Sequence, residues 1–232
     1  DKVLNSGHLI LGNSVRNFEL EFAKYCESKY GVGVNSGTDA LFLGLKALEI
    51  GKGDEVITVS NTAVPTISAI VSTGAKPVFL DVDSKTYLMN TNKLESIITK
   101  RTKCIIPVHL YGQCVNMATV IKVAKKHKLK IMEDCAQAHG ALFNGKKAGS
   151  MSDVWAFSFY PTKILGGYGD GGMAITNKKT IEKKLRRMRF YGMDDKYYSE
   201  EHGYNSRLDE LHAEILLNKL GNLDKYIKRR QS

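Results

Sequence analysis

Short apolar runs rich in β-branched residues alternate along this chain with stretches in which apolar side chains recur every three or four positions. The runs at 55–59, 77–82, 104–109, 130–134, 154–159 and 172–176 end in polar or glycine-bearing turns and predict strands. The intervening segments 15–25, 38–48, 66–72, 92–99 and 117–127 have the helical period; Phe18, Phe22 and Tyr25 fall on one face of the first. Such alternation predicts an α/β fold with a mostly parallel central sheet flanked by helices. Leu208, Leu211, Ile215, Leu217 and Leu220 predict a last amphipathic helix over 207–226. No repeat, low-complexity stretch or Pro/Gly/Ser linker divides the chain, so residues 1–232 read as one domain.

Composition narrows the class. Hydrophobic residues make up 43% of 232 positions, enough for a substantial core. No apolar run approaches the roughly 20 residues of a membrane span, and the first residues show no signal-peptide pattern, so a cytoplasmic protein is expected. Cys26, Cys104, Cys114 and Cys135 form no CxxC pair and are expected as reduced thiols, neither a zinc site nor a disulfide framework. The net charge of +10 suits nucleic acid, an anionic membrane or a phosphorylated ligand. The basic runs at 122–130 and 183–189 carry helical apolar spacing, which marks solvated helix faces, and no nucleic-acid-binding signature accompanies them.

The stretch Phe157-Ser158-Phe159-Tyr160-Pro161-Thr162-Lys163 hangs a lysine beyond an apolar strand, beside a hydroxyl-rich turn. A lysine held there and partly desolvated can act as a Schiff-base nucleophile, although most lysines in so basic a chain are solvated surface charges. Asn35-Ser36-Gly37-Thr38-Asp39-Ala40 opens a helix after an apolar run; its free N–H groups and hydroxyls suit an anion, or equally a plain N-cap. Glu133 and Asp134 end a strand on opposite faces, so they are not a paired acid and base, and only one can face the crevice at the strand ends. Gly167-Tyr168-Gly169-Asp170-Gly171-Gly172 matches GxGxxG, but a strand rather than a helix follows it, which rejects a dinucleotide site and leaves a closely packed loop. A strand-end lysine, a lone strand-end carboxylate and a phosphate cradle are together what pyridoxal 5'-phosphate requires.

These motifs, with Gly53-Asp54-Glu55-Val56-Ile57, Pro107-Val108-His109-Leu110-Tyr111-Gly112-Gln113 and Tyr204-Asn205-Ser206-Arg207-Leu208-Asp209-Glu210, stand in the order found in the DegT/DnrJ/EryC1/StrS sugar aminotransferases, which the chain resembles over nearly its whole length. The resemblance implies the large domain of a fold type I enzyme, with the start and the smaller C-terminal domain of the family missing. It implies that Lys163 holds the cofactor and moves protons, Asp134 pairs with the pyridine nitrogen, and Gln137 bonds the phenolic oxygen. Gly37, Thr38 and Ser158 would hold the phosphate, and Asn205 would reach the phosphate of the neighbouring subunit in a homodimer. The implied reaction moves an amino group from L-glutamate to a keto group of a nucleotide-linked deoxysugar, a step of aminosugar biosynthesis. The related sugar dehydratases carry histidine at the lysine position, and Lys163 speaks against them. A non-catalytic cofactor-binding or interaction fragment is the alternative. One departure stands out: Ala63 occupies the position at which many relatives stack an aromatic ring on the cofactor.

Overall fold

The computed structural model describes residues 2–194 and 197–232. Nine strands are present among them: β1 (Tyr30–Val34), β2 (Glu55–Val59), β3 (Lys76–Leu80), β4 (Thr102–Ile105), β5 (Lys130–Asp134), β6 (Leu142–Phe143), β7 (Lys146–Lys147), β8 (Val154–Ser158) and β9 (Gly172–Thr176). Seven of them form one sheet in the order β1-β9-β8-β5-β4-β2-β3, while β6 and β7 make a separate small hairpin. The pairings from β3 through β2, β4 and β5 to β8 are parallel; β9 runs antiparallel to both β8 and β1. The mostly parallel α/β architecture read from the pattern is therefore present. Two successive antiparallel pairings restore direction, so β1 runs the same way as β8. Its carboxyl end reaches the sheet edge where β5 and β8 also end.

Helices cover both faces: α1 (Lys2–Ser6), α2 (Asn13–Tyr25), α3 (Gly37–Ala47), α4 (Val64–Ser72), α5 (Met117–His127), α6 (Lys179–Met188), α7 (Glu210–Leu220) and α8 (Leu223–Gln231). The continuous apolar strands follow from burial on both sides. In β8, Val154 and Ala156 enter the core layer that holds α3 and α4, whereas Trp155 and Phe157 enter the layer of α2 and α7. The second layer is aromatic: Phe18 meets Phe159 edge-on at 5.1 Å, and Phe22 meets Phe157 at 5.0 Å. On α6, Ile181, Leu185 and Met188 are buried, so its run of basic residues is an amphipathic helix with a charged outer face. Among the described residues, no helix is long and apolar enough to cross a membrane.

Boundaries differ from the pattern where local chemistry intervenes. The run at 104–109 leaves the ladder at Ile105, because Pro107 has no N–H to donate; Ile106 still bonds Ile57 O, at 2.7 Å. The window at 92–99 holds a 3-10 helix, Thr91–Ile97, not an α-helix. The predicted last helix is two helices. Asp209 caps α7 by accepting the His212 N–H at 2.9 Å, which leaves Arg207 and Leu208 outside it, and the chain turns at Gly221-Asn222 before α8.

Candidate active site

Three strand ends and one turn build the site. Beyond β1, Ser36 caps α3 through its hydroxyl, which accepts the Asp39 N–H at 3.1 Å. The N–H groups of Gly37 and Thr38 lie in the first helical turn and have no intrahelical acceptor, so they stay open to an anion. Plain capping and anion binding are thus compatible: Ser36 serves the cap, and its two successors offer the free donors. Gly37 packs directly against the end of β8, where an added Cβ would stand 2.6 Å from the Ser158 Cβ. Gly172 closes the cradle from β9: it pairs with both Val34 and Ser158, and a Cβ there would lie 2.1 Å from the Ser36 carbonyl oxygen. Gly172→Ala is expected to push the Ser36–Thr38 loop away from Ser158. Overpacking of this kind costs about 1–3 kcal/mol. The check is a lower thermal midpoint together with weaker phosphate-ligand binding; an unchanged midpoint would show that the loop yields freely.

Asp134 ends β5 and faces α4. Its Oδ2 accepts from the Thr66 hydroxyl at 2.7 Å and its Oδ1 from the Ala136 N–H at 3.1 Å. Burial raises its pKa above the ordinary carboxylate value; these two bonds and the charge of Lys163 offset only part of that effect. Among the described residues no salt bridge reaches Asp134, so a buried carboxyl stands at the crevice without a cationic partner. Glu133, as alternation requires, turns the other way. Its carboxylate accepts from His109 Nε2 at 2.8 Å, from Trp155 Nε1 and from the Gly149 N–H at 3.3 Å. His109, Glu133 and Cys135 bring ligand-type atoms within 4.8 Å of one another. Both ring nitrogens of His109 are already engaged, Nδ1 by the Val115 N–H at 3.1 Å, so the cluster is a closed hydrogen-bond network inside the core.

Lys163 is half-buried in the turn after β8, its N–H bonded to Tyr160 O at 2.9 Å. It lines a cavity of about 740 Å³ together with Gln137, Thr162, Tyr111 and His139. Gln137 Oε1 accepts the Tyr111 N–H at 3.2 Å, which leaves its amide Nε2 as a free donor. His139 is buried against Phe157 and Phe159; burial first, and the Lys163 charge second, push its pKa down to about 3, so it is a neutral imidazole. Asn205 lies elsewhere, exposed, in a segment whose backbone bridges Phe190. The structure thus gathers Gly37, Thr38 and Ser158 in one cradle and Lys163 with Gln137 in one cavity. It sets Asp134 within the field of Lys163 and leaves Asn205 facing outward.

Thr66 is the residue that sequence reasoning missed. It lies in the same short segment as Ala63, but nothing in spacing signals that its hydroxyl meets a carboxylate 68 positions away. Ala63 itself precedes α4 as an exposed N-cap position.

Known proteins resemble the chain in sequence and in fold. A protein from Micromonospora megalomicea subsp. nigra, dTDP-3-amino-3,4,6-trideoxy-alpha-D-glucose transaminase, is 54% identical over 232 residues, covering 100% of this chain and 62% of its own length. The dTDP-3-amino-3,6-dideoxy-alpha-D-galactopyranose transaminase of Aneurinibacillus thermoaerophilus is 50% identical over 231 residues, covering 100% and 64%. Among solved structures, DesV of S. venezuelae in complex with a ketimine intermediate superposes with a TM-score of 0.95 at 46% identity, covering 97% of this chain and 60% of that one. The chain therefore spans about three fifths of the length of these relatives. The model of the DegT/DnrJ/EryC1/StrS aminotransferase family matches residues 1–232, and the chain belongs to that family.

Proposed function

We propose that this chain is the cofactor-binding large domain of a pyridoxal-phosphate-dependent nucleotide-sugar aminotransferase, which moves an amino group from L-glutamate to a keto group of a nucleotide-linked deoxysugar. The observation that carries the reading is the convergence of Asp134, the Gly37/Ser158 cradle and Lys163 at one end of the sheet. The fit to the cofactor rests on two features. The cradle packs so closely that a Cβ at Gly37 would fill it, and the buried Asp134 lacks the cation that a protonated pyridine nitrogen would supply. When bound, pyridoxal phosphate supplies an electron sink conjugated to the transferred nitrogen.

The residues divide the work. Lys163 Nζ would hold the cofactor through its carbonyl and would move a proton at the transferring centre. Asp134 holds the pyridine nitrogen protonated. Gln137 Nε2 donates to the phenolic oxygen, and Gly37, Thr38 and Ser158 take the phosphate. Asn205, exposed and outside the cavity, serves the cofactor phosphate of a second copy in a homodimer. Relatives that carry dTDP-sugar and UDP-sugar names support a nucleotide-linked acceptor, and the net charge of +10 is consistent with its diphosphate. A cytoplasmic location is part of the proposal, consistent with a nucleotide-linked acceptor. The test is the visible absorption of the protein with pyridoxal phosphate before and after addition of L-glutamate. A cofactor band that bleaches with glutamate is expected; a folded protein with no band would favour a non-catalytic fragment.

A further inference from the structure

β1 is the outer strand of the sheet, and side chains rather than another strand pair its free edge. Gly33 donates its N–H to Glu19 Oε1 at 2.8 Å, and its carbonyl accepts from Arg189 at 2.7 Å. Arg189 also pairs with Glu19, so one ion pair from α2 and the end of α6 grips both the N–H and the carbonyl of a single residue. The Arg189 backbone extends the chain of contacts: its carbonyl accepts the Ser206 N–H at 2.9 Å. Ser206 is wholly buried, and its Oγ in turn accepts the Asn35 N–H at 3.3 Å. Asn35 immediately precedes the Ser36–Thr38 cradle, and Ser206 immediately follows Asn205.

The geometry points to Ser206, acting through Asn35 and Arg189, as a positioning residue for phosphate recognition. It joins the cradle of one site and the segment bearing Asn205 into a single register. The inference rests on the cofactor reading above. Energetics separate this role from a purely structural one. The bond is a single long, neutral hydrogen bond from an exposed residue, so the fold loses little without it, whereas the cradle loses the contact that fixes where its N–H groups point.

The test compares apoprotein binding of pyridoxal phosphate with binding of pyridoxal, which lacks the phosphate, in wild type and Ser206→Ala. The variant is expected to bind pyridoxal phosphate about tenfold more weakly, the equivalent of one hydrogen bond, and pyridoxal unchanged. Amide hydrogen exchange at Asn35 in the apoprotein should quicken, with the thermal midpoint held. Unchanged affinity for both ligands, or an equal loss for both, overturns the inference. Arg189→Lys provides a second variant, since an ammonium cannot hold Glu19 and Gly33 in the guanidinium geometry; the same phosphate-selective loss is expected. A wild-type protein that binds neither ligand would defeat the cofactor reading itself, a result distinct from a variant that matches wild type.

Discussion

Lys163→Ala is expected to abolish covalent retention of the cofactor while leaving the fold intact. The side chain is half-buried, forms no salt bridge among the described residues and sits in a turn, so its removal creates no core cavity. The thermal midpoint should stay within about 2 °C, since one kcal/mol moves it by about 2–4 °C in a chain of this size. Borohydride treatment in the presence of pyridoxal phosphate should fix the label to wild type and not to the variant, and peptide mapping should place it on Lys163. Loss of the proton carrier alone lowers the rate of amino transfer by about 10²–10⁴-fold, before loss of the covalent anchor is counted. The cradle does not depend on Lys163, so noncovalent binding through the phosphate should persist. A variant that still fixes label at the same yield would defeat the assignment.

Asp134→Asn is expected to have two opposite effects. Amino transfer should fall by about 10²–10³-fold, the scale on which loss of one preorganised electrostatic partner slows a reaction. The amide is neutral and cannot keep a pyridine nitrogen protonated. Apoprotein stability should move the other way. Asp134 titrates above its ordinary value in the folded chain because of burial, so the folded state holds this proton to higher pH than the unfolded chain does. Stability contributed by the protonated carboxyl is fully present below the ordinary carboxylate pKa and is lost as pH rises through the raised value. Above the raised value the wild-type apoprotein carries a buried charge that the amide removes. The midpoint of apo Asp134→Asn should gain on that of wild type as pH rises through the raised value, and the gap should close as pH falls into the carboxylate range. A gap that does not widen as pH rises would mean that the bonds from Thr66 and Ala136 outweigh burial.

Much of the architecture is readable from local pattern because each element answers to its own period and punctuation. The apolar runs of β2, β5, β8 and β9 are strands at the expected positions, since burial on both faces demands continuous apolar side chains. Pro107 ends β4 early by a rule that is equally local. The true start of α7 and its separation from α8 are not legible in the pattern, because the leucine spacing runs unbroken across Asp209 to Leu220; the cap at Asp209 sets the start and the turn at Gly221-Asn222 sets the break. The placement of Glu133 and Asp134 on opposite faces is legible because strand alternation is a local property.

The amino-acid sequence by itself determined six of the seven strands of the main sheet, its mostly parallel architecture, the rejection of a dinucleotide loop and, through the family resemblance, the candidate residues Lys163, Asp134, Gln137, Gly37, Thr38, Ser158 and Asn205. Only the tertiary structure decided which of them meet. Gly37 touches Ser158 because β1 returns beside β9, and Gly172 lies between their strand ends, a neighbourhood set by sheet order. Thr66 finds Asp134 across 68 positions, and Ser206 finds Asn35 across 171. Contacts between residues so distant along the chain are fixed by how helices and strands pack. Local propensity selects each element but carries no information about its neighbours in space.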